Sequence, residues 1–163
     1  MIPSQAYALF VVSGRSCALP ASAVREIVPL AELVEPPGLP PPVAGFLDLA
    51  GTAVAVVRTA RLFGLAEPPP DPATALVLLR GPAAPTALLV DRVLTVRPVA
   101  DAAWRPIAPE LSLEGCVLAE ADLDEGRTAL LSAGRILLRE EEAVVAGLQV
   151  AAQRRLDEVR ARP

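Results

Sequence analysis

Histidine is absent from this chain, and its absence excludes a large share of enzyme chemistry. No Ser-His-Asp or Cys-His pair, no imidazole base and no His-ligated metal centre is assembled from these residues. Phosphate-cradling loops of the GxGxxG or Walker type are missing as well, so nucleotide binding has no support. Cysteine is scarce: Cys17 and Cys116 stand far apart and outside any CxxC spacing, which predicts reduced, buried thiols. Apolar runs fall short of the roughly 20 residues a membrane helix needs, because Pro, Gly and Arg interrupt each one. The opening MIPSQAYALF has no basic segment ahead of its apolar residues, so the expected location is cytoplasmic, without membrane insertion. All 15 basic residues are arginine, set against 19 acidic ones for a net charge of -4, and they are not clustered. A phosphate backbone needs a clustered basic surface, so nucleic acid is excluded as a partner.

What the chain has in quantity is small apolar side chains. Hydrophobic residues make up 53% and charged ones 21%, with a mean hydropathy of +0.45, which supports a real core and rules out general disorder. A length of 163 residues predicts one compact domain over 1–163. Short Val/Leu/Ala runs bounded by Gly, Pro and Asp predict strands at 7–12, 16–19, 23–28, 44–49, 52–57, 75–80, 86–90, 92–97, 115–121 and 127–132. Many short strands at even spacing point to small barrels. Two proline clusters, at 35–43 and 66–73, cannot be central strands and read as stiff loops, with PxxP docking peptides the alternative.

The chain also echoes itself. Ala18, Leu19, Val24 and Pro29 are matched 69 residues later by Ala87, Leu88, Val93 and Pro98, and Gly45 is matched 70 residues later by Gly115. Two similar β units joined at 66–73, roughly 5–65 and 74–138, are therefore expected. Beyond them, Val145, Leu148, Ala152, Leu156 and Val159 recur at helical steps and predict one amphipathic helix over 139–161. Glu140, Glu141 and Glu142 at its start and Arg154, Arg155, Arg160 and Arg162 near its end suit the two poles of the helix dipole.

Carboxylates offer little chemistry. The run Asp122–Gly126 has acids at calcium-loop density, but Arg127 and Ala133 occupy the positions where such a loop needs Gly and Glu, so it reads as a hairpin turn. Glu26, Asp48 and Asp91 each lie beside an apolar strand, with nothing to bring two together. The expectation is a non-enzymatic interaction module with no cofactor and no metal.

The residues resemble a known family. Val24-Arg25-Glu26-Ile27, then Pro37 to Gly51, then Val54-Ala55-Val56-Val57 ending at Leu62-Phe63-Gly64, follow the CheW-like pattern V-x-E-I, P-x-x-P-x-x-V-x-G-hydrophobic-hydrophobic-N-L-R-G, P-V-hydrophobic-D-L and L-G. Leu89 to Val93 is similar to the family's V-D-x-V, and Leu130 to Leu137 takes the place of its last conserved segment. The resemblance implies a mainly β fold of two intertwined SH3-like five-stranded barrels with a C-terminal amphipathic helix. It also implies a scaffold coupling a chemoreceptor's cytoplasmic tip to the regulatory domain of a CheA-type histidine kinase, in membrane-bound receptor arrays. The partner-binding residues it implies are Val24, Glu26, Ile27, Val43, Gly45, Phe46, Leu49, Ala50 and Arg58, around one groove.

Departures from the pattern fall at polar positions. N-L-R-G is Asp48-Leu49-Ala50-Gly51 here, and P-V-hydrophobic-D-L is Ala55-Val56-Val57-Arg58-Thr59. The pattern's Arg and Asp, eight residues apart on one hairpin, are expected to pair across it. Ala50 and Arg58 then remove that pair, leave one positive charge and retune the groove toward an apolar or acidic partner. The other reading is an SH3-like module of a pathway without chemoreceptors, binding a specialised kinase or a helical partner. With 3% aromatics, a polyproline groove is not expected.

Overall fold

The computed structural model describes residues 2–81, 85–113, 115–136 and 139–161, with backbone alone for 139–147. The strands are β1 (Ser4–Val12), β2 (Arg15–Pro20), β3 (Val24–Pro29), β4 (Val43–Leu49), β5 (Thr52–Arg58), β6 (Ala75–Leu79), β7 (Thr86–Val90), β8 (Arg92–Ala100), β9 (Arg105–Pro106), β10 (Val117–Leu123) and β11 (Gly126–Leu131). Helices are α1 (Thr59–Leu62), α2 (Ala133–Ile136) and α3 (Arg139–Ala161). Every expected strand is present. The two-residue β9 and the one-turn helices α1 and α2 escaped the sequence because elements so short carry no periodicity.

One sheet runs β8-β1-β2-β11-β10-β9 and the other β3-β6-β7-β5-β4. Advancing each first-half strand to its counterpart about 70 residues on turns β1, β2, β3, β4 and β5 into β6, β7, β8, β10 and β11. Under that exchange the order β8-β1-β2-β11-β10 becomes β3-β6-β7-β5-β4, which is the second sheet. The echo in the sequence is thus a repeat of topology, and the intertwining is a swap. Each sheet takes strands from both sides of the 66–73 segment, joined through a parallel pair, β2 with β11 in one and β5 with β7 in the other. The first sheet has six strands and not five, since β9 adds itself beyond β10.

Burial on both faces explains the unbroken apolar runs. Along β6, Ala75 and Val77 enter the layer between the sheets, and Leu76 and Leu78 enter the interior of the second sheet. Alternate side chains of one strand thus serve two cores. The shared layer also holds Phe10, Val12, Cys17 and Leu19 of the first sheet and Val57, Leu88 and Val90 of the second. In β1 the inward set changes from Tyr7 and Leu9 to Phe10 and Val12, because a bulge between Leu9 and Phe10 shifts the register against β8.

The second sheet closes on itself through a single bridge. Val34, in the stretch after β3, exchanges both backbone hydrogen bonds with Phe46 of β4, each 2.8 Å. Gly45 permits this approach: its φ is +152°, and a Cβ there would lie 2.8 Å from the Val34 carbonyl oxygen.

α3 matches the predicted span, and Leu148, Ala152 and Leu156 pack on the second sheet as the stripe requires. Val159 does not, being 64% exposed. The side chains of Glu140, Glu141, Glu142 and Val145, together with Leu137 and Arg162, lie outside the described residues.

Candidate protein-interaction surfaces

The β4–β5 hairpin is the best-defined surface feature. Its turn, Ala50-Gly51, has φ of +49° and +88°, the left-handed pair of a tight two-residue hairpin turn. Asp48 Oδ1 accepts the Gly51 N–H at 2.8 Å, so the aspartate performs the turn-closing bond that the family's Asn side-chain oxygen also permits.

α3 lies across this hairpin and is held in register by two glutamines. Among the described residues, β5 pairs with β7 from Ala55 onward, where the Ala55 N–H reaches the Pro85 carbonyl at 3.1 Å. Among the described residues no strand pairs with Ala53 on that side, and its backbone groups take their partners from α3. Gln153 Oε1 accepts the Ala53 N–H at 2.8 Å, and its Nε2 donates to the Gly51 carbonyl at 2.6 Å. Gln149 Nε2 donates to the Ala53 carbonyl at 3.3 Å and to the Pro85 carbonyl. Below the glutamines, Leu148, Ala152 and Leu156 cover Val43, Phe46, Ala53 and Ala55.

The nine residues implied by the resemblance are spread over several environments. Val24 and Ile27 are half-buried against the layer between the sheets, and Leu49 is half-buried against the interior of the second sheet. Val43 and Phe46 are 4% and 1% exposed beneath α3, so no partner touches them while the helix is seated. Gly45 is buried and permits the close approach of Val34. Glu26 is exposed on β3, at the margin of its sheet, and Ala50 is exposed on the turn. Arg58 donates from Nη1 to Glu67 Oε2 at 2.7 Å, with Arg61 Nε 3.7 Å from the same oxygen.

Two expectations about this hairpin are therefore corrected. Ala50 and Arg58 occupy opposite ends of it: β5 runs antiparallel to β4 from Thr52, beside the turn, to Arg58, beyond the Val43–Val57 pair. Six residues of strand separate 52 from 58, about 20 Å, because a strand rises roughly 3.3 Å per residue. Arg and Asp at these two places would not meet. Nor does Arg58 stand as a bare charge on a groove, because Glu67 of the proline-rich segment pairs with it through an oxygen shared with Arg61.

A second surface was not legible as a motif. An open apolar groove of about 670 Å³ is lined by Cys17, Phe63, Leu65, Ile107, Leu111 and Leu131, with Arg15, Glu110 and Arg127 among its charged groups. Leu111 and Leu113 are 68% and 46% exposed. The lining comes from well-separated stretches of chain, so no local pattern marks it. The one signal was three apolar side chains, Ile107, Leu111 and Leu113, in an otherwise polar, proline-containing connection.

Other singled-out groups have structural partners. Asp91, of the V-D-x-V match, accepts the backbone N–H groups of Ser13 and Gly14 at 3.1 and 2.9 Å, which ties the β1–β2 turn to the start of β8. The Asp122–Gly126 run is the β10–β11 hairpin turn. There Asp122 pairs with Arg105 at 3.0 Å and Glu125 with Arg97 at 2.6 Å, holding the Glu125 carboxyl below its usual range through the Arg97 hydrogen bond. Cys17 and Cys116 are buried thiols. Burial, with Asp91 nearby, pushes the Cys17 thiol up to about 12. Among the described residues no group of three or more Cys, Asp or Glu could hold a metal ion.

Two swapped sheets, one carrying an apolar groove rimmed by charged side chains and the other a turn overlaid by a helix, define a β-barrel module with exposed surface for protein contacts. The chain belongs to the CheW-like domain family, whose model matches residues 6–142. Proteins of this family are scaffolds and adaptors of chemotaxis signal transduction, and this chain is such an adaptor and not an enzyme. Its fold is similar to the crystal structure of the scaffolding protein TtCheW from Thermoanaerobacter tengcongensis. The identity there is 17% and the TM-score 0.77, over 86% of this chain and 92% of that one. No curated protein sequence matches the chain. No described helix is long and apolar enough to cross a membrane.

Proposed function

We propose that this adaptor couples a sensory input to the regulatory domain of a CheA-type histidine kinase, in the cytoplasm at a receptor array. The observation that carries the reading is a family match running through both sheets, residues 6–142, so the whole two-barrel body is retained and not one barrel alone. An adaptor needs two surfaces that can be occupied together, and the chain offers two. The β4–β5 edge of the second sheet, with Leu49 and Ala50, takes the kinase regulatory domain. The groove lined by Phe63, Leu65, Ile107 and Leu111 takes an apolar helix such as a receptor tip. In each, apolar area supplies affinity and the charged rim supplies selection.

A second reading, a pathway without chemoreceptors, is favoured by one observation: the methyl of Ala50 stands where the family pattern carries a guanidinium. Titration of the full chain with the purified regulatory domain of a CheA-type kinase from the same organism tests the proposal. Association at about micromolar strength is expected. Absence of binding at a hundredfold higher concentration overturns it. Ternary sedimentation with receptor-bearing vesicles then separates the two readings.

A further inference from the structure

The family match ends at residue 142, so nearly all of α3 lies beyond it, yet α3 is seated on the hairpin carrying the family's N-L-R-G positions. Gln149, Gln153, Leu156 and Arg160 recur at steps of four, three and four and form one stripe. The first two bind the backbone of Ala53 and Gly51, and Leu156 packs beside them. That register delivers Arg160 onto the turn. A Cβ on Gly51 would overlap the Arg160 guanidinium, coming within 2.5 Å of Cζ and 2.6 Å of Nη2. Arg160 is exposed and makes no salt bridge with a described residue. Asp48, the nearest acid in the turn, uses Oδ1 for the Gly51 N–H.

We propose that Arg160 supplies, from α3, the guanidinium that the N-L-R-G pattern places at residue 50, and that it binds a carboxylate on the partner's docking surface. This rests on the adaptor reading given above. The charge has moved from the turn to a helix laid over it, and the turn glycine provides the space. An exposed guanidinium without a partner among the described residues keeps its donors for a bidentate contact. The partner feature is an acidic side chain at the rim of an apolar patch, the patch matching half-buried Leu49 beside the turn.

The experiment is titration of the full-length chain against the purified regulatory domain of the CheA-type kinase, at several salt concentrations. Wild type is compared with Arg160→Ala and with Ala50→Arg/Arg160→Ala, and thermal melting confirms each fold. Arg160→Ala is expected to bind about tenfold more weakly, with a flatter salt dependence, and the double variant to recover most of the loss. Binding by Arg160→Ala within twofold of wild type overturns the inference and leaves the adaptor reading standing. Loss without recovery in the double variant also overturns it, because Arg160 would then act only by seating the helix. No binding by wild type overturns the adaptor reading, and this inference with it.

Discussion

The β4–β5 and β10–β11 hairpins occupy equivalent places in the two sheets, yet one is buried and the other is not. In β4 the first five residues, Val43 to Leu47, are all buried, whereas in β10 Ala121 alone is buried and Leu118 is 53% exposed. The outer face of β4–β5 is apolar because α3 lies on it. The outer face of β10–β11 is a charge ladder in which Glu120 takes Arg127 at 2.6 Å and Asp122 takes Arg105. The arginine hydrogen bonds hold the Glu120 carboxyl below its usual range. Topology does not decide which surface is core; what is laid against it does. A repeated strand pattern gave the two hairpins the same backbone, and one added helix gave them different chemistry.

The largest expected effect comes from breaking the covered hairpin at its centre. Phe46→Ala empties a fully buried ring site beneath α3 and is expected to cost about 3–5 kcal/mol in denaturant unfolding. Leu118→Ala, on the uncovered strand, is expected within about 0.5 kcal/mol of wild type. Comparable losses for the two would mean that α3 does not distinguish the hairpins.

The glutamine contacts come next. Gln149→Ala and Gln153→Ala each strip hydrogen-bond partners from the backbone at the start of β5, and each is expected to cost about 1–3 kcal/mol. Faster amide exchange at Ala53 in Gln153→Ala, with the β10–β11 amides unchanged, would localise that loss.

Cys17 sharpens the comparison through pH. It belongs to the layer shared by both sheets, and the fold raises its thiol to about 12. A raised pKa favours the neutral thiol in the native state, so this stability is complete below the unfolded thiol value of about 8.5 and falls as pH climbs from there toward 12. The expected slope is about 1.4 kcal/mol per pH unit in that window. Other groups titrate there too, so the informative quantity is the difference between wild type and Cys17→Ala, whose unfolding should be less pH-sensitive between pH 9 and 11. Parallel profiles would show that the thiol is not held neutral.

The smallest effect is expected on the charge ladder. Asp122→Asn removes an exposed pair and should shift stability by about 0–1 kcal/mol, diminishing with salt.

Strand positions were legible because short Val/Leu/Ala runs ended by Gly and Pro leave little choice, and the amphipathic stripe of α3 was legible for the same periodic reason. The swap was carried by the offset between Ala18-Leu19 and Ala87-Leu88, though a contiguous reading of the chain places each unit on one side of residues 66–73. The sites were harder. Val43 and Phe46 read as partner-binding because nothing local says that Gln149 and Gln153, about a hundred residues later, fix a helix over them. Ile107 and Leu111 were passed over because a groove built from several separate segments has no period.

The central claim is that the α3-covered turn is a working surface of the adaptor. Hydrogen–deuterium exchange on the full chain, with and without the kinase regulatory domain, tests it directly. The account predicts slowed exchange at Asp48–Thr52 and in the last turn of α3, with β10–β11 unaffected. Protection confined to β10–β11, or none at the β4–β5 turn in a complex that does form, would contradict it.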